Sequence, residues 1–208
     1  MEAVRLAQSL AAPYPDVRTI NMGGGFPVPY TPDDRYPQPE DFARALAPLV
    51  KGWRVLAEPG RAVIADAGIL LMGVVAVKEQ GGQRFVIADG GMTDLLRPAL
   101  YGATHSVVPL QERTESLMPA VVVGPVCEST DVLHRAALLP LLRAGDLLAV
   151  LTTGAYGMAM ASNYNLRTRP PEVLVEEGGW RVIRRRETWD DLLRLESEAL
   201  DDQSLKMG

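Results

Sequence analysis

The sequence predicts an α/β segment followed by an all-β domain of barrel or sandwich type, dividing at residues 1–68 and 69–208. Two patterns carry that division. The first segment alternates helix-like and strand-like stretches, whereas the second holds short β-like runs separated by glycine-rich turns. A third observation sets the scale: 208 residues at 47% hydrophobic content can bury one large core or two small ones.

In the first segment, Val4, Leu6, Ala7 and Leu10 recur at helical spacing, and Pro13 and Pro15 close that helix. Val17, Ile20 and Met22 then read as a strand leading into Gly23-Gly24-Gly25. A proline-rich loop covers residues 27–39, and residues 40–50 read as an amphipathic helix with Phe42, Leu46, Leu49 and Val50 on one side. Residues 53–57 read as a second strand, and residues 62–67 as a short helix-like stretch. Strand, loop, helix, strand is a βαβ rhythm, in which functional loops sit at the C-terminal ends of the strands. Both Gly23-Gly24-Gly25 and Glu58-Pro59-Gly60-Arg61 fall there.

In the second segment, strands are expected at 70–77, 84–88, 105–110, 120–123, 147–151, 172–175 and 180–184. Gly81-Gly82 and Gly178-Gly179 supply the positive φ that tight hairpin turns require. A helical turn over 95–101 would put Arg97 and Tyr101 on one face, with Pro98 confining it to a first turn. Residues 189–195 read as a short amphipathic helix and 203–208 as a frayed tail.

Charge and composition exclude several classes of partner. The net charge is -5, with acids and bases mixed and no basic run, so neither nucleic acid nor an anionic membrane is an expected partner. The longest nearly uncharged apolar stretch, Ala67 to Val77, falls short of the ~20 residues of a spanning helix. With no basic-then-apolar signal pattern and a single cysteine, the expected compartment is the cytoplasm. His105 and His134 lack metal-ligand spacing, read as ordinary surface or satisfied histidines, and no metal site is expected.

The chemistry-bearing residues lie at the strand ends. Gly24 and Gly25 can expose bare backbone N–H groups to an anion, although a triple glycine can also be a plain turn. Gly60 and Arg61 open a helix-like stretch that could add helix-terminal N–H groups and a guanidinium. Glu58 ends an apolar strand and is either a partner for a nearby arginine or a working carboxylate. Cys127, flanked by Glu128 and Asp131, suits proton donation better than nucleophilic attack; the plainer alternative is a small buried hydrophobe. Tyr156, between Gly154 and Gly157, is open to both core and site readings.

Taken in order with Ser162-Asn163-Tyr164-Asn165, these motifs resemble the C-terminal part of the pyridoxal-phosphate-dependent decarboxylases of the alanine-racemase-like fold type, and among them the diaminopimelate decarboxylases. The likeness runs from about Val17 to Leu193. It implies the last βα units of a (β/α)8 barrel followed by a β domain, a pyridoxal 5'-phosphate cofactor, and decarboxylation of meso-diaminopimelate to L-lysine. By the same likeness Gly24, Gly25, Gly60 and Arg61 hold the cofactor phosphate, and Glu58 faces the pyridine nitrogen. Tyr156 touches cofactor and substrate, Arg61, Arg97, Tyr101 and Glu128 bind the non-reacting end of the substrate, and Cys127 returns a proton. A homodimer sharing active sites, or a separate N-terminal barrel chain, is the implied partner.

Full members of that family begin with barrel strands bearing a cofactor-binding lysine and a stacking histidine, neither of which has a counterpart here. Lys51 precedes its strand, Lys78 flanks a hairpin turn and Lys206 lies in the tail, so none is a credible replacement. The chain is therefore expected to be inactive alone. The alternatives are a decarboxylase for ornithine, arginine or carboxynorspermidine, or a non-catalytic remnant or regulator.

Overall fold

A computed structural model describes residues 2–201, and the expected tail at 203–208, with Lys206, lies outside them. The first segment holds α1 (Glu2–Ala11), β1 (Thr19–Asn21), α2 (Pro39–Leu46), β2 (Arg54–Leu56) and α3 (Gly60–Ile64), the last continuing as a 3-10 turn over Ala65–Ala67. β1 and β2 pair in parallel with Ile20 opposite Val55, as a βαβ unit requires. α2 starts well: Pro39 sits in its first turn, and the Gln38 N–H donates to Asp41 Oδ2 at 3.0 Å. It stops at Leu46, earlier than the sequence pattern suggests, because Pro48 has no N–H to continue the ladder. Gln8 Nε2 of α1 donates to the Leu49 carbonyl, and Phe26 meets Phe42 edge-on at 5.3 Å.

The β domain is built on a six-stranded mixed sheet. Its strands are β3 (Leu70–Gln80), β4 (Gln83–Ala88), β5 (Val107–Pro109), β6 (Met118–Val123), β7 (Val132–Leu139) and β8 (Leu147–Val150), in the order β5-β8-β3-β4-β6-β7. Every pairing is antiparallel except β4 with β6. β5 and β7, at opposite ends of that order, approach one another, so the sheet curls almost into a barrel. Its interior holds Met72, Val74, Val86, Leu95, Val122, Leu133, Leu139, Leu148 and Val150, all buried. α4 (Arg97–Tyr101) lies in the β4–β6 connection.

β7 has no counterpart in the sequence expectations. Its register with β6 shifts twice, and His134-Arg135 interrupt its apolar run, so the period-two signal is broken where the strand is bulged. After β8 the chain forms the hairpin β9 (Glu172–Glu176) and β10 (Gly179–Arg184), then α5 (Trp189–Asp201). α5 outlasts the predicted 189–195 because residues 196–201 contain no glycine or proline to stop it. No helix among the described residues is long and apolar enough to cross a membrane.

Candidate active site

The two strand ends predicted to carry function are stitched together. Met22 N–H donates to the Leu56 carbonyl at 2.9 Å, and Glu58 N–H to the Gly23 carbonyl at 2.8 Å. Gly23 and Gly25 have φ of 67° and 84°, and a Cβ on Gly24 would lie 2.5 Å from the Glu58 carbonyl oxygen. The glycines are thus demanded by backbone conformation on both sides and by close approach in the middle. Asn21, which sequence reasoning passed over, joins them to Glu58: its Nδ2 donates to Glu58 Oε1 at 2.6 Å and its Oδ1 accepts from Gly23 N–H at 2.8 Å. Among the described residues no arginine forms an ion pair with Glu58.

Gly60 gives its N–H to the Glu58 carbonyl at 2.8 Å, and the space where its Cβ would stand is open. Arg61, next in α3, stands with its guanidinium 5.9 Å from the Tyr156 ring and its Nε buried without a partner. The Tyr156 loop is locked against α3. Gly154 N–H donates to Ala65 O at 2.9 Å, Thr153 N–H to Gly68 O at 2.8 Å, and any side chain on Gly154 would collide with the Ile64 carbonyl. Tyr156 itself has φ 61°, a left-handed conformation that a bulky residue adopts only when its surroundings impose it.

Arg97 is buried, with 8% of its surface exposed, and its guanidinium lies 4.3 Å over the Tyr30 ring. Its Nη1 donates to His105 Nε2 at 2.8 Å, and His105 Nδ1 faces the Leu151 carbonyl at 3.0 Å. Tyr30 packs on Val28, Ala65 and Ala155, so the Arg97 group and the Tyr156 loop share one small core. The expected helical turn forms as α4, with Arg97 at its start buried and Tyr101 at its end 66% exposed. Burial, followed by the charge of Arg97, holds the His105 pKa below the usual histidine range, against the opposing Leu151 hydrogen bond.

Cys127 and Glu128 occupy the loop between β6 and β7, and Cys127 is exposed, which removes the buried-hydrophobe reading. Asp131, only 3% exposed, organises that loop by accepting Val126 N–H and Met92 N–H, each at 2.7 Å. Tyr164 donates its phenol to Glu128 Oε1, which raises the phenol pKa. Tyr164 was legible only as part of a motif, and Asp131 only as a neighbouring charge. No hydrogen bond, ion pair or ring contact among the described residues joins Cys127 or Glu128 to Glu58, Arg61 or Tyr156. Nor do three or more His, Cys, Asp or Glu residues among those described form a metal-binding group.

Residues 30–154 match the family model described as the pyridoxal-dependent decarboxylase C-terminal sheet domain. The chain belongs to the pyridoxal-dependent decarboxylase family. Within it, the similarity is to diaminopimelate decarboxylases. The Aquifex aeolicus enzyme is 40% identical over 191 residues, 91% of this chain and 46% of that protein. The Vibrio cholerae enzyme is 42% identical over 195 residues, 92% and 46% respectively. The crystal structure of diaminopimelate decarboxylase from Helicobacter pylori complexed with L-lysine superposes with a TM-score of 0.86 at 39% identity, over 95% of this chain and 49% of that one. The lysine/ornithine decarboxylase of Vibrio vulnificus complexed with cadaverine reaches 0.68 at 32% identity, over 81% and 48%. This chain therefore spans about half the length of the curated relatives it matches.

Proposed function

We propose that this chain supplies the C-terminal portion of a pyridoxal-phosphate-dependent decarboxylase that converts meso-diaminopimelate to L-lysine and carbon dioxide. The observation that carries this is the convergence of the Gly23–Gly25 backbone, the Glu58 carboxylate, the partnerless Arg61 Nε and the strained Tyr156 at adjoining strand ends. That donor set fits a phosphorylated pyridine. Gly24 and Gly25 offer backbone N–H groups and Arg61 a guanidinium to the phosphate, while Glu58, steadied by Asn21, meets the ring nitrogen. Gly60 contributes the open space in front of α3 more than a free donor. Pyridoxal phosphate, when bound, supplies the electron sink that makes loss of carbon dioxide feasible.

The protein's own residues then sort the two ends of the substrate. Arg61, Arg97 and Tyr101 receive the carboxylate that is kept, Glu128 the ammonium beside it, and the Tyr156 phenol orients substrate against cofactor. Cys127 Sγ gives its proton to the carbon that has lost carbon dioxide. As the family likeness implies, Cys127 and Glu128 serve a site completed by another subunit, in a homodimer of the whole enzyme. In this reading residues 1–68 are the last βα units of the (β/α)8 barrel, and residues 69–208 the β domain. The lysine that holds the cofactor comes from the complementary barrel half, on whichever polypeptide carries it. Lys51 sits in the turn before β2, at the opposite end of that strand from Glu58, and Lys78 donates to Gln80 beside a hairpin turn. The higher structural similarity to diaminopimelate decarboxylases than to the lysine/ornithine enzyme supports the substrate assignment.

The test is carbon dioxide release by the assembled enzyme from meso-diaminopimelate, ornithine, arginine and lysine. A preference for diaminopimelate of about 100-fold or more in kcat/KM is expected, since leaving buried guanidinium donors unpaired costs a few kcal/mol at ~1.4 kcal/mol per tenfold. Equal rates, or a preference for ornithine or arginine, would sink the assignment. This chain alone, mixed with pyridoxal phosphate and reduced with borohydride, is expected to give no unique lysine adduct.

A further inference from the structure

His105 lies outside every motif that pointed to function, yet it is fully buried against the guanidinium of Arg97, itself nearly buried. Its two ring nitrogens face unlike partners. The Leu151 carbonyl can only accept a hydrogen bond, so Nδ1 must carry the proton; the Arg97 guanidinium can only donate, so Nε2 must present its lone pair. The imidazole is thereby fixed as the neutral Nδ1–H form. The groups around it are Arg97 from α4, the Tyr30 ring at 4.7 Å from the loop before α2, and the Leu151 carbonyl at the end of β8. Protonating Nε2 would set a second cation against Arg97, and no carboxylate among the described residues pairs with either group.

Arg97 is thus held on two sides, by the Tyr30 face and by His105 Nε2. No other side-chain hydrogen bond among the described residues engages it, and none of its atoms is buried without a partner, so its remaining donors are open to solvent and free to meet a ligand. We propose that His105 is a positioning residue, which through Nε2 sets the plane of the Arg97 guanidinium so that its free donors meet the substrate carboxylate that is not lost. The target of those donors rests on the decarboxylase reading; the His105 to Arg97 linkage does not.

Two near-isosteric substitutions separate positioning from simple packing. In His105→Gln the side-chain Oε1 can still accept from Arg97, whereas in His105→Asn the amide can still donate to Leu151 but offers Arg97 nothing. In the assembled enzyme, His105→Asn should raise KM for diaminopimelate by about tenfold or more with kcat little changed, as loss of a charge-assisted contact used equally in ground and transition states predicts. His105→Gln should stay within about threefold of the parent, by the same reasoning. Equal KM values for the two variants, or a larger defect in His105→Gln, would overturn the proposal, because a packing role has no reason to favour the acceptor.

A second measurement does not depend on turnover. With 15N-histidine incorporated, His105 should show a protonated Nδ1 and an unprotonated Nε2 in this chain, and keep that form as pH falls below the ordinary histidine range. An Nε2–H tautomer or ordinary titration would overturn the linkage even if the enzyme prefers diaminopimelate. Should the enzyme prefer another substrate while this signature and the Gln/Asn split in KM for that substrate persist, the decarboxylase reading would fail on substrate and the positioning role would stand.

Discussion

The curled sheet and the segment that precedes it are unequal partners. Strands β3 to β8 enclose a continuous apolar interior in which Val86, Val122, Leu139, Leu148 and Val150 are fully removed from solvent. Between Glu2 and Ile64, by contrast, only Ile20 and Val28 are buried, while Leu6, Leu10, Val55, Leu56 and Val63 stand exposed. The hairpin β9–β10 and α5 resemble the latter: Val175, Trp180, Ile183 and Leu195 are exposed. The sheet carries its own stabilising core, and the flanking pieces leave apolar side chains exposed. The proposed phosphate and ring-nitrogen residues sit in the segment before the sheet, and of the proposed substrate-binding residues only Arg97 is buried.

The largest difference is expected from truncating one leucine on each side. Leu139→Ala should lose about 2–5 kcal/mol in urea unfolding of this chain. Leu10→Ala, at a site 67% exposed, should change stability by no more than about 0.5 kcal/mol. In the proposed assembly with a complementary barrel half the contrast should shrink, so Val55→Ala or Leu56→Ala should weaken that association while leaving this chain's own unfolding almost unaltered. Comparable losses for Leu139→Ala and Leu10→Ala would break the comparison.

A smaller effect is expected at the seam. Gly154→Ala places a methyl group against the Ile64 carbonyl, so the Tyr156 loop must lift from α3, at about 1–3 kcal/mol for overpacking. Hydrogen exchange at the Thr153 and Gly154 amides should accelerate while the β3–β4 hairpin keeps its protection. Uniform loss of protection would show that seam and sheet unfold as one unit.

The smallest concerns pH. Glu187 is held down to about 2 by its bonds to Arg169, opposed by burial and aided by the Arg169 N–H and Asn163 Nδ2. A carboxylate depressed on folding contributes its full stabilisation above its unfolded pKa, near 4.5, and loses it as pH falls toward about 2. Glu187→Gln should therefore lower stability near neutrality and flatten its decline across that interval, measured by thermal unfolding at stepped pH. An unchanged acid slope would assign the decline to other carboxylates.

What the sequence disclosed follows the same divide between local and assembled features. The βαβ rhythm, the glycine turns and most strands of the sheet were legible because period-two runs and positive-φ glycines are local signals. β7 was hidden because its bulges scramble the alternation, and α2 read too long because apolar spacing outran Pro48. At the candidate site, Gly24, Glu58, Arg61 and Tyr156 were singled out by position and by the family likeness. Asn21, Tyr30, His105 and Asp131 did not, since each acts by holding another group across a distance in sequence that only the fold closes.

The one parallel pairing within the six-stranded sheet, β4 with β6, governs the order in which that sheet can be made. Residues 89–117, which include Arg97, Tyr101 and His105, leave β4, run to the far edge of the sheet as β5, and return before β6 can register. The β3–β4 hairpin can zip early from a two-glycine turn, whereas the strap above it must wait for β8, whose strand lies between β5 and β3. Loop closure is entropically cheap to lengthen, roughly 0.6 kcal/mol per doubling, but contacts so distant along the chain slow the search. In a pulse-labelled refolding experiment the amides around Arg97 and His105 should gain protection last, so the buried arginine and the histidine that holds it are the final pieces the chain sets in place.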